Sequence, residues 1–121
     1  MTDLARFRIT VAADGSQPDA LDASEAILLE IAGEIDIGSS PDLHDQLEAL
    51  LPLRKPIILD MARVEFVDAS GIGVLLEIAS RATAAGSGIV LRRPSRPVVY
   101  VMELLELDGL LPVEQDNATL K

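Results

Sequence analysis

The chain has no cysteine, no tryptophan, one tyrosine and one histidine. Without cysteine there is no disulfide framework and no thiolate metal site. A single histidine, His44, makes a zinc centre implausible. Phe7, Phe66 and Tyr100 are the only aromatic residues, so nucleic-acid bases would find almost nothing to stack on. Bases are scarce too: 10 Lys and Arg against 20 Asp and Glu give a formal net charge of −10. That charge repels phosphate backbones and anionic membranes. No apolar run approaches the ~18 residues of a membrane span. Residues 1–8 are too polar for a signal peptide. The expectation is a cytoplasmic protein, free of cofactors, whose partner is a protein with a basic face.

What is present is aliphatic. Hydrophobic residues make up 49% of 121, enough for one globular domain with one core. Residues 5–12 alternate Phe7, Ile9 and Val11 with Arg6, Arg8 and Thr10, which predicts a half-exposed strand. Residues 14–24 carry Gly15, Pro18 and several acids, and read as an inserted acidic loop. A second strand is expected over 26–32, antiparallel to the first. Ser40-Pro41-Asp42 reads as a helix start, with Ser40 as cap and Pro41 in the first turn. Leu43, Leu47, Leu50 and Leu51 form its apolar stripe, and Pro52 stops it. Ile57 to Asp60 predicts a third strand, covered on both faces. Ile72, Leu75, Leu76 and Ala79 predict a helix over about 70–85, ending at Gly86. A short strand at 89–91, a helix over 95–107 and an edge strand at 110–113 complete the domain. Residues 114–121 read as a frayed tail. The pattern alone gives a small α/β domain, residues 1–113, with a mixed sheet.

Several motifs fail on inspection. Gly71-Ile72-Gly73 follows a strand and opens a helix, but Leu76 stands where a dinucleotide fingerprint needs its third glycine. Asp68 stands where a nucleophile elbow at Ser70 needs glycine. His44 is expected to face solvent from the first helix. Asp36, Asp60 and Asp68 lie near strand ends and could hold Mg²⁺, but caps and turns explain them more cheaply. No catalytic constellation results, so no enzyme activity is expected.

The run from Ile57 through Asp68-Ala69-Ser70-Gly71 to Leu76 resembles the signature of the STAS domain, the fold of bacterial anti-sigma factor antagonists. Gly33-Glu34-Ile35-Asp36, Ile58-Leu59-Asp60 and the stretch 94–111 extend the resemblance over nearly the whole chain. It implies a mixed four- to five-stranded sheet with helices packed on one face. It also implies a function: capture of an anti-sigma factor with a kinase-like ATP-binding fold, which frees a sigma factor in a partner-switching circuit regulating transcription. A phosphatase can belong to the same switch. The implied partner surface is Glu34, Asp36, Ser39, Ser40, Asp68, Ala69, Ser70, Gly71 and Ile72. Asp68 and Ser70 are also ordinary helix caps. Gly71 and Gly73 carry no side chain, which would let a partner's backbone come close.

The family's corner reads Asp followed by two hydroxyl residues and Gly, and the first hydroxyl is the usual phosphate acceptor. Here that position is Ala69. Three readings stand open. Ser70 takes the phosphate; or capture is constitutive; or the chain serves a branch outside sigma-factor control, as a STAS subunit of a membrane transporter of the sulfate or lipid ABC kind. Nucleotide binding, reported for some STAS proteins, finds no Gly-rich phosphate loop here.

Overall fold

The computed structural model describes residues 7–11, 26–107 and 109–114. The expected acidic loop over 14–24 and the tail from 115 onward lie outside these residues. Four strands form one sheet in the order β1 (Phe7–Val11), β2 (Ile27–Ile35), β3 (Ile57–Val67), β4 (Ile89–Arg92). β1 runs antiparallel to β2, as the sequence predicts, and the other two pairs are parallel. Parallel neighbours need crossovers. α1 (Ser40–Glu48) and α2 (Ala69–Ala84) supply them, while α3 (Arg96–Leu104) follows β4 and packs against β3. The helices cover one face of the sheet. Leu43, Leu47, Ile72, Leu75, Ile78 and Val98 close on Leu29, Ile31, Leu59, Met61 and Leu91 in a single aliphatic core. Among the described residues, no helix is long and apolar enough to cross a membrane.

β3 departs most from expectation. It does not stop at Asp60 but runs to Val67. The register slips twice against β2, between Glu30 and Ala32 and between Gly33 and Glu34. These bulges break the alternation that would have betrayed the strand. They also keep Val64 and Val67 in the core while bending the strand toward the corner that follows. Gly33 sits at the second slip with φ 99, a conformation that glycine adopts freely. β3 is not covered on both faces: Ile58 is only half-buried.

The other corrections are at element ends. α1 stops at Glu48, and Pro52 falls in a separate 3₁₀ turn, Leu51–Leu53. Ser40 is not its cap. Ser39 holds that position, and Ser40 is the buried first residue of the helix. α3 stops at Leu104, where Glu106 turns left-handed and the Leu107 N–H bonds back to the Met102 carbonyl. The expected strand at 110–113 shrinks to one bridge, Leu91 with Val113. Pro112 has no N–H with which to extend a ladder. Glu114 is tied down: it pairs with Arg92 at 2.6 Å.

α1 and α2 are latched by polar groups on their outer side. His44 is not solvent-facing; its side chain is 25% exposed, with Nε2 3.3 Å from Glu77 of α2. Asp45 and Glu48 lie 3.6 and 3.8 Å from Nδ1. Arg81 reaches across to Glu48 at 3.0 Å, as well as to Glu77 one turn back at 3.5 Å. The hydrogen bond to Glu77, followed by that to Asp45 and the charges of Glu77 and Glu48, raises the His44 pKa above 6.5 against the opposing effect of desolvation. A folded-state pKa above the unfolded value means that protonation favours the folded state. The stabilisation is therefore fully present below about 6.5 and fades as pH rises through the folded value. The melting-temperature difference between wild type and His44→Gln should shrink over that window. A difference that does not vary with pH would show that His44 is not titrating in the latch.

Candidate functional site

The site is built where β3 turns into α2. Asp68 leaves the strand in extended conformation and becomes the N-cap of α2. Its Oδ1 accepts hydrogen bonds from the N–H of Ser70 at 2.9 Å and of Gly71 at 3.4 Å, and from the Ser70 hydroxyl at 2.5 Å. The Asp68 N–H donates to the Ile35 carbonyl at 3.1 Å, which fixes the corner to the end of β2. A helix start exposes N–H groups and partial positive charge that would hold an anion. Here the Asp68 carboxylate already occupies that place.

The loop from β2 to α1 lies alongside. Asp36 Oδ1 accepts from the N–H of Gly38 at 2.9 Å and of Ser39 at 3.1 Å. The Ser39 hydroxyl donates to the Glu34 carbonyl at 2.9 Å and accepts from the Asp36 N–H at 3.0 Å. The turn is thus pinned at both ends, and it carries Ile37 outward, 77% exposed. The sequence places Ile37 inside the expected contact stretch 34–40 without singling it out. The available signal was a β-branched apolar residue set among Asp36, Gly38, Ser39 and Ser40, where a turn former would be expected.

The residues singled out from the sequence fall into two groups. Ala69 is exposed, and Glu34, Asp36, Ser39, Asp68 and Ser70 are half-buried around it. Ser40, Gly71 and Ile72 are buried, so they support the surface from beneath. The reason is sharpest at Gly71. A Cβ there would stand 2.5 Å from Cγ2 of Ile35 and 2.9 Å from Cγ2 of Val67. The room at Gly71 belongs to the core, which corrects the expectation that it stays bare for a partner. Gly73 is the bare one: a Cβ there meets nothing within 4 Å. Ala69 and Gly73, four residues apart, share one helix face. They make a smooth strip at the start of α2.

The remaining candidates have other work. Asp36 and Asp68 hold backbone N–H groups, and the buried Asp60 pairs with Arg93 at 2.5 Å and accepts from the Ala62 N–H at 3.1 Å. His44, Asp45 and Glu48 bring ligand atoms within 4.8 Å of one another, but Arg81 and Glu77 already satisfy Glu48 and His44.

The comparisons bear on this corner. A family model described as "Mlab, STAS domain" matches residues 20–112. The anti-sigma factor antagonist SpoIIAA of Bacillus, in its unphosphorylated form, superposes with TM-score 0.65 at 18% identity, covering 94% of this chain and 92% of that one. An anti-sigma factor antagonist from Mycobacterium paratuberculosis gives 0.69 at 20% identity, covering 96% and 92%. SLC26A9 gives 0.67 at 17% identity, with 93% of this chain covering 23% of that one. At these identities the structural likeness establishes the fold. The family model spans more than half of the sequence, and the four-stranded mixed sheet with its capped strand-to-helix corner agrees with it: the chain belongs to the STAS domain family.

Proposed function

We propose that this chain is a protein-capture module of the anti-sigma factor antagonist kind, and that it captures without phosphate control. The observation carrying this reading is the make-up of the corner. Ala69, exposed where the family's acceptor hydroxyl is expected, has no oxygen to phosphorylate. Ser70, the one hydroxyl adjacent, donates to Asp68 at 2.5 Å. A phosphate on Ser70 would set a dianion against that carboxylate, with the N–H groups of Ser70 and Gly71 already taken. The partner is an anti-sigma factor with a kinase-like fold, met in the cytoplasm, and the contact surface is Ile37, Ala69, Gly73 and the half-buried residues around them. Its chemistry is apolar at the centre, with Ile37 standing out, and acidic at the rim.

The test is phosphotransfer. The recombinant chain is incubated with the kinase-like anti-sigma factors of its source cell and ATP, and read by intact mass. Wild type should stay unmodified while Ala69→Ser gains one phosphate, because the kinase fits the surface and only the acceptor is missing. One phosphate on wild type, removed by Ser70→Ala, would restore phosphate control through Ser70 and sink the constitutive reading.

A second reading has its own support. The matching family model is of the Mlab type, and SLC26A9 also resembles this fold. On that reading the same corner docks on a transporter subunit. Binding to such a subunit with no binding to any kinase-like protein would select it.

A further inference from the structure

The sheet face opposite the helices holds a second feature, away from the corner. Arg8 of β1 pairs in register with Ala32 of β2, and Ala32 with Arg63 of β3. Residues in cross-strand register point to the same face. Phe7 and Ile9 pack against the core, so Arg8 points the other way. The small Ala32 therefore leaves a gap between two arginines. Together with Ala62, Val64 and Glu65 they line a hollow of about 510 Å³.

The charge state of this hollow is unusual for the chain. Acids outnumber bases two to one. Arg81, Arg92 and Arg93 each hold a carboxylate. Among the described residues, Arg8 and Arg63 hold none, and Glu65 borders the hollow without an ion pair to either. Arg54, Lys55 and Arg96 are also unpaired, but no second cation shares a hollow with Arg96, and Arg54 and Lys55 line none of the described clefts. Two inter-strand spacings, across β2, separate the Arg8 and Arg63 backbones by about 10 Å. Two guanidinium-bearing side chains lining one hollow over that span suit one ligand with several oxygens, since each fork can take two oxygens of a phosphate.

We propose that the Arg8–Ala32–Arg63 hollow is a binding site for a phosphate-bearing molecule. The ligand lies on the sheet face opposite the helices, so the site is independent of partner capture at the corner. Pyrophosphate, with two phosphoryl groups for two guanidinium forks, binds more tightly than inorganic phosphate. Glu65 at the rim weakens both.

The experiment is a titration of the full chain with inorganic phosphate and with pyrophosphate, followed by amide chemical shifts. Saturable shifts are expected at Ala32, Arg63 and Val64, with pyrophosphate the tighter ligand. Arg63→Ala and Arg8→Ala should each weaken pyrophosphate about tenfold, a loss fitting one charged fork. Glu65→Gln should strengthen it several-fold, and Arg54→Ala should change nothing. A second arm sediments the chain with phosphatidylcholine vesicles, with and without phosphatidic acid. The net charge predicts no sedimentation; sedimentation lost in Arg63→Ala would keep the site and name a lipid headgroup as the phosphate source. Absent shifts in the hollow, or shifts spread equally over Arg54, Lys55 and Arg96, overturn the proposal.

Discussion

Gly71→Val should lower the thermal midpoint by about 10 °C, a loss of about 3 kcal/mol. Even a single added carbon would lie 2.5 Å from Ile35 and 2.9 Å from Val67. Both neighbours are core residues on adjacent strands, fully packed and joined to the corner by the Asp68 to Ile35 backbone bond. Neither is a flexible end that can swing away, so the first turn of α2 must lift from the sheet. Gly73→Ala is the matched control. It meets open space and gains helix propensity, so it should raise stability by up to about 1 kcal/mol. Thermal melts of the two variants decide the matter. If Gly71→Val melted within about 2 °C of wild type, the close packing of α2 on β2 and β3 would be wrong.

That contrast also marks what the sequence could and could not reveal. Both glycines sit in one six-residue motif, and nothing in the string distinguishes them. Only the side chains brought from β2 and β3 do. α1 and α2 were legible because Leu43, Leu47, Ile72 and Leu75 repeat at helical spacing and because capping residues punctuate their starts. β1 was legible from its alternation, and its antiparallel pairing with β2 followed. β3 was legible only as far as Asp60, since the bulges opposite Ala32 and Glu34 disrupt the period-two pattern beyond it. Ser40 reads as a cap in the sequence because Pro41 follows it. The tight turn at residues 36–39 shifted the start of α1 by one residue, burying Ser40 and placing Ser39 in the turn's hydrogen-bond network. At the corner, Asp68 as an N-cap was readable, but the Ser70 hydroxyl's bond to it and the outward reach of Ile37 depend on geometry that spacing does not encode.

Ala69→Arg should weaken partner capture about a hundredfold, equivalent to about 2.7 kcal/mol. Ala69 is the exposed first residue of α2, on the strip it shares with Gly73. A long cation at that point would stand between the two surfaces and would have to be desolvated without a partner. Its effect on folding is small: the side chain points to solvent, and a positive charge at a helix start costs about 0.3–1 kcal/mol. Loss of binding with a melting temperature lowered by at most about 4 °C therefore separates contact from scaffold, which Gly71 variants cannot do.

The most direct measurement is a calorimetric titration of the cognate anti-sigma factor into wild type and Ala69→Arg, each before and after incubation with that partner and ATP. Wild type should bind with the same affinity before and after ATP, and Ala69→Arg about a hundredfold more weakly in both. Equal affinity of the two proteins, or wild-type binding that disappears after ATP, would contradict phosphate-independent capture at this corner.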